Sequence, residues 1–170
     1  MGRRIIDSID DLVKFVNKSG TCYVFRRGGG LRICDFVGGN DSTVIRGRTM
    51  ELCEEAHLGG RMLLTADNKG SLLALSIKTV DEVYPHRRAL ELTEDEKRLL
   101  AAIDRPLSTP ELRIVSGFSK ARFDRSLMGL RFKMKISLMG IKRESKTKHL
   151  NCFDTFESWK KTAKKGQTLK

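Results

Sequence analysis

The 170-residue sequence predicts an α+β fold: a small mixed α/β N-terminal domain over residues 1–89, then a winged helix-turn-helix domain over residues 90–158. Three observations carry that expectation. Three runs of helical period lie between Thr93 and Lys133, each opened by a Ser or Thr. Two strand-like runs joined by a charged tip follow them, and the first half alternates strand-like stretches with glycine-bounded turns. Residues 159–170 read as a lysine-rich C-terminal tail.

In the first half, Ser8 opens a helix, with Asp11 three residues later as its capping partner and Ile9, Leu12, Val13 and Val16 on one face. Gly20 ends it. The stretch TCYVF reads as a strand, RRGGGLR as a bend and ICDFV as a second strand, so a hairpin is expected there. Gly28, Gly29 and Gly30 sit among Arg26, Arg27 and Arg32. They lack both the glycine-lysine spacing of a phosphate loop and a following helix, and a turn is the better reading. RTMELCEEAH is helical, and RMLLTADNKGSLLALSI forms two strands about the turn Asn68-Lys69-Gly70.

In the second half, Thr93 caps LTEDEKRLLAAI, whose first turn is acidic and whose Leu99, Leu100 and Ile103 share a face. After the break at Asp104-Arg105-Pro106, Ser108 caps a helix with Glu111 at the capping-box position and Pro110 in the first turn; Gly117 closes it. Ser119 then opens a third helix, residues 120–133. Phe123, Leu127 and Leu130 face a core, and Gly129 marks a close approach to a neighbouring helix, since glycine there costs about 1 kcal/mol against alanine. KISLMGIKR and HLNCFDTF are the two strands of a basic wing spanning 136–153.

Charge is unevenly placed. The chain carries +12 in all; residues 1–89 hold 14 Lys/Arg against 11 Asp/Glu, and from Arg113 onward the ratio is 16 to 4. A basic half of this kind fits a polyanion. The candidate nucleic-acid contacts are Lys120, Arg122, Arg125, Arg131 and Lys133 on the third helix, and Lys142, Arg143, Lys146 and Lys148 on the wing. Aromatic residues make up only 6% and most fit the core, which favours duplex DNA over single strands that stack on exposed rings. Structured RNA is the alternative, because phosphate geometry is read in either polymer.

The stretch PLSTPELRIVSGFSKARFDRSLMGLRFKMKISLMGI resembles the winged-helix segment of AlkZ-related proteins, relatives of a bacterial alkylpurine DNA glycosylase. FVNKSGTCYVF is similar to the apolar opening of the short members of that family. The resemblance spans about residues 9–158 and is strongest from Leu107 to Ile141. It implies tandem winged-helix-like architecture and a DNA-linked role. The catalytic relatives are longer and carry a Gln-aliphatic-Gln or Gln-aliphatic-Asp motif. Here the single glutamine is Gln167, in the tail, so a non-enzyme is expected.

Other chemistry finds little footing. Cys22, Cys34, Cys53 and Cys152 are far apart, without a C-x-x-C pair, and read as buried free thiols; His57, His86 and His149 have no zinc-like spacing. No metal or cofactor is expected. No run approaches the roughly 18 apolar residues of a membrane span, and the N-terminus turns acidic without an apolar signal core. The expected protein is cytoplasmic and binds no membrane. It is a transcription regulator or a repair or chromosome accessory, or alternatively an RNA- or ribosome-associated factor.

Overall fold

Capping chemistry sets the first element of the computed structural model, which describes residues 6–25, 30–143 and 149–168. Ser8 Oγ accepts from the Asp11 N–H at 3.2 Å and starts α1 (Ile9–Ser19), which ends where Gly20 takes φ 72° and its N–H reaches the Val16 carbonyl. Strand β1 (Thr21–Tyr23) follows. Asp41 then caps α2 (Ser42–Leu58) by accepting from the N–H groups of Thr43 and Val44. Strands β2 (Met62–Ala66) and β3 (Leu72–Ser76) flank a turn whose Gly70 has φ 83°, and Ser76 caps α3 (Ile77–Arg88). The sheet is antiparallel, in the order β1-β3-β2.

The hairpin expected at ICDFV is not formed. Ile33–Asp35 make a short 3-10 turn, and β1 pairs along its length with β3, meeting this segment only through a parallel bridge from Tyr23 to Arg32. The turn brings Arg32 and Asp35, three apart, into an ion pair at 2.7 Å that an extended strand would split between opposite faces.

The second half repeats the plan. Helix α4 (Glu94–Ala101) has a capping box between Thr93 and Glu96, then β4 (Leu107–Ser108), α5 (Thr109–Ser116), α6 (Lys120–Phe132), β5 (Ile136–Arg143), β6 (His149–Thr155) and α7 (Phe156–Thr168). Its sheet order is β4-β6-β5. If the 3-10 turn is counted as a helix, both halves read helix, strand, helix, helix, strand, strand, helix. In both, the third strand lies between the first two. The segment expected as a tail belongs largely to α7, with Trp159 and Ala163 buried.

Among the described residues, the buried side chains form three apolar cores. Leu12, Val16, Cys53, Met62, Leu64 and Ala74 fill the first; Leu99, Leu112, Phe123, Leu130, Ile136 and Phe153 the second. The third joins the halves, combining Leu63, Leu75 and Val80 with Met134, Phe156, Trp159 and Ala163. Strand β2 is buried at all five positions because its alternating side chains enter two cores, Met62 and Leu64 the first and Leu63 the third. Gly60, at φ 69°, lets α7 come close: a Cβ there would lie 2.4 Å from Ala163 Cα.

His57, at the end of α2, locks this joint. Its Nδ1 accepts the Leu64 N–H at 3.1 Å, so Nε2 carries the proton and donates to the Leu138 carbonyl of β5 at 2.8 Å. Trp159 stacks on the imidazole at 5.2 Å, and its indole N–H donates to the His57 carbonyl at 3.1 Å. Burial pushes the His57 pKa down to about 4, against the opposing effect of the bond to Leu138.

A pH signature follows. The unfolded chain takes up this proton near pH 6.5, whereas the folded chain resists until about pH 4, so stability is lost as pH falls through that window. Urea unfolding at pH 7.5 and 5.5 is expected to show a loss of ~1 kcal/mol attributable to His57. His57→Gln should lower stability at both pH values by about 2–4 kcal/mol and remove that component. Equal pH dependence in both proteins would show that His57 titrates normally.

Candidate nucleic-acid interface

Helix α6 sits behind the α5–α6 turn, where Gly117 takes φ 65°. Ser119 occupies its N-cap position without a side-chain capping bond. Phe123, Ser126 and Leu130 are buried, and Gly129 faces α4, where a Cβ would lie 1.9 Å from the Glu96 carboxylate. The glycine therefore serves the close approach expected of it.

The outward strip is divided in two along its length. Its C-terminal part is covered by the first half of the chain: Gly70 abuts Met128, and the Arg87 guanidinium lies 4.8 Å over the Phe132 ring while donating to the carbonyls of Ala66 and Phe132. The Thr65 hydroxyl donates to the Arg131 carbonyl at 2.8 Å. Its first two turns stay open, with Lys120, Ala121, Arg122, Asp124 and Arg125 exposed.

The five candidate cations of this helix divide accordingly. Lys120 is exposed and pairs with Asp124 at 2.6 Å, one turn on. Arg122 holds Asp95 of α4 in a two-point contact, its Nε 2.6 Å from the carboxylate, and lies 4.5 Å over the Phe118 ring. The Arg122 hydrogen bond keeps the Asp95 carboxyl below its ordinary pKa. Arg125 is exposed and makes no hydrogen bond or ion pair among the described residues.

Arg131 and Lys133 do not belong to the outward surface, contrary to the sequence-based expectation. Arg131 lies four residues after Leu127 and eight after Phe123, which turns it toward the core; its guanidinium rests 5.6 Å over Phe153. Lys133 falls four residues after Gly129, on the side facing α4. There its ammonium reaches Glu96 at 2.6 Å and the Glu91 carbonyl at 2.8 Å, with the two side chains only 15% and 6% exposed. Glu96 thus serves both the capping box of α4 and this pair. Residues Lys142 and Arg143 occupy the last two positions of β5, and their side chains lie outside the described ones, as do Lys146 and Lys148 entirely.

The candidate contacts drew their helical cations from α6 and not from its neighbours. Arg98 of α4 lies 5.2 Å over Phe118, so two guanidinium groups cover that buried ring. Arg113 of α5 is exposed and lines, with Thr109, Pro110, Lys120, Phe123 and Asp124, a cleft of about 180 Å³ between α5 and α6. Spacing within α6 carries no signal for either arginine, because both come from other helices.

Cys22 and Cys53 are buried, and burial pushes the Cys53 thiol up to about 12; Cys34 and Cys152 are partly buried. Among the described residues, no group of three or more His, Cys, Asp or Glu is placed to hold a metal. No described helix is long and apolar enough to cross a membrane. No protein-family model, curated protein or solved structure matches the chain. The likeness to AlkZ-related proteins therefore rests on its sequence stretches alone.

Three substitutions test these placements. Lys133→Ala strands the buried Glu96 carboxylate and should cost about 3–5 kcal/mol in urea unfolding, whereas Lys120→Ala, at an exposed pair, should change stability by less than about 1 kcal/mol. Equal effects would return Lys133 to the open surface. Gly129→Ala should destabilise by about 1–3 kcal/mol, outweighing the helix gain of roughly 1 kcal/mol, because its methyl meets Glu96.

Proposed function

We propose that this chain is a non-catalytic nucleic-acid-binding protein with two winged-helix repeats, whose second repeat lays the first two turns of α6 into the major groove of duplex DNA. The order α4-β4-α5-α6-β5-β6, with a β4-β6-β5 sheet, supports the winged-helix reading of residues 90–158, and the same order in the first half supports a second repeat. The segment between Arg88 and Glu94 supports a boundary near residue 89.

One observation carries the functional reading. The open part of α6 is its N-terminal part, and there Arg125 is exposed without a hydrogen bond or ion pair among the described residues, while Lys120 and Arg122 flank it. In a helix-turn-helix the N-terminal residues of the second helix meet base edges, and an exposed guanidinium whose N–H groups are not taken by internal hydrogen bonds can address the O6 and N7 of guanine. The wing cations Lys142, Arg143, Lys146 and Lys148 then serve as phosphate contacts. A regulator of transcription or an accessory to repair or chromosome structure is the role consistent with this surface and with the missing glutamine motif.

Titration of duplex DNA, single-stranded DNA and folded RNA at several salt concentrations separates the readings. Duplex binding is expected to be tightest, and to fall steeply with salt. Arg125→Ala should weaken it by about 1–3 kcal/mol and relax preference at one base pair, whereas Lys146→Ala should weaken all sequences alike and lower the salt slope by about one contact. Tighter binding to folded RNA, undiminished by Arg125→Ala, would replace the duplex reading with the RNA-associated one.

A further inference from the structure

The turn between β2 and β3 is built more rigidly than a surface hairpin of the first half requires. The Asp67 carboxylate accepts the N–H groups of Lys69 at 2.8 Å and Ser71 at 2.7 Å, and the Gly70 N–H donates to the Asp67 carbonyl at 3.1 Å. Gly70, at φ 83°, is pressed on Met128 so closely that a Cβ would fall 2.1 Å from its sulfur. That contact fixes the tip to α6, one helical turn beyond Arg125. Asn68 and Lys69 at the tip stay exposed, and the Lys69 ammonium has no hydrogen bond or ion pair among the described residues.

From this juxtaposition we infer that Lys69 is a further phosphate-contacting residue of the α6 surface, supplied by the first half of the chain; the inference rests on the duplex reading above. A helix seated in a groove about 12 Å wide has sugar-phosphate backbone along its edges, and the Asn68-Lys69 tip stands where the open strip of α6 ends. The same hairpin that covers Met128 therefore limits how far along α6 a duplex can reach, and places a cation at that limit. The surface is then composite: α6 and the wing from the second half, Lys69 from the first.

The test is the salt dependence of duplex binding by the full chain. Lys69→Ala should weaken binding several-fold at low salt and reduce the slope of log K against log salt by about one contact, with base preference unchanged. Lys69→Glu should weaken it further. Lys14→Ala removes one exposed positive charge from α1, an element packed on α2, β1 and β3, and should leave the slope unaltered. If Lys69→Ala keeps the full slope while Arg125→Ala weakens binding, the inference is overturned and the duplex reading stands. If Lys14→Ala lowers the slope as much as Lys69→Ala, the effect is one of net charge and the inference is likewise overturned. Absence of duplex binding by the unaltered chain would overturn both.

Discussion

The neutral imidazole of His57 is the joint on which the relation of the two halves depends. One ring nitrogen takes a backbone N–H from β2, the other gives a proton to a backbone carbonyl of β5, and the indole of α7 closes its face. A buried imidazole can do both jobs only in the uncharged form, because the imidazolium has no acceptor. Charge exclusion at one site thus sets the placement of β5 against β2. The close packing of Gly70 on Met128 and of Arg87 on Phe132 depends on that placement, and so does the part of α6 left open.

The shared plan of the two halves makes their differences informative. Helix α2 occupies in the first the place of α6 in the second, yet its exposed residues include Glu51 and Glu55 as well as Arg46 and Arg48. The first hairpin is spent on contacts with α6. In the second half, an exposed strip with three cations remains, and the net charge of the sequence is concentrated there. One half is thus bound up with bracing its neighbour, and the first two turns of the neighbour's helix stay exposed.

Local chemistry made the helices of the second half legible. Thr93 with Glu96 and Ser108 with Glu111 are capping pairs at fixed spacing, and Phe123, Leu127 and Leu130 fix the inner face of α6. Helix α3 was hidden because the apolar run of β3 passes into it without a break at Ser76, and Pro85 lies within it. Strand β4 is only two residues long and exists by pairing with β6, a contact between positions more than forty residues apart. The inward turn of Lys133 was equally invisible: its direction is set by Glu96 on another helix, and no pattern within residues 120–133 encodes that partner. His57 looked like a scattered histidine for the same reason, since its partners come from β2, β5 and α7.

The double burial of β2 bears on the order in which the chain becomes a folded body. As the first half leaves the ribosome, Met62 and Leu64 find their core early, because α1 and α2 precede them and β3 follows within a few residues. Leu63, Leu75 and Val80 cannot: the groups that cover them, Met134, Phe156, Trp159 and Ala163, are made 50 or more residues later. During synthesis the nascent N-terminal half therefore carries an unfinished apolar face, and cooperative closure of the molecule awaits α7.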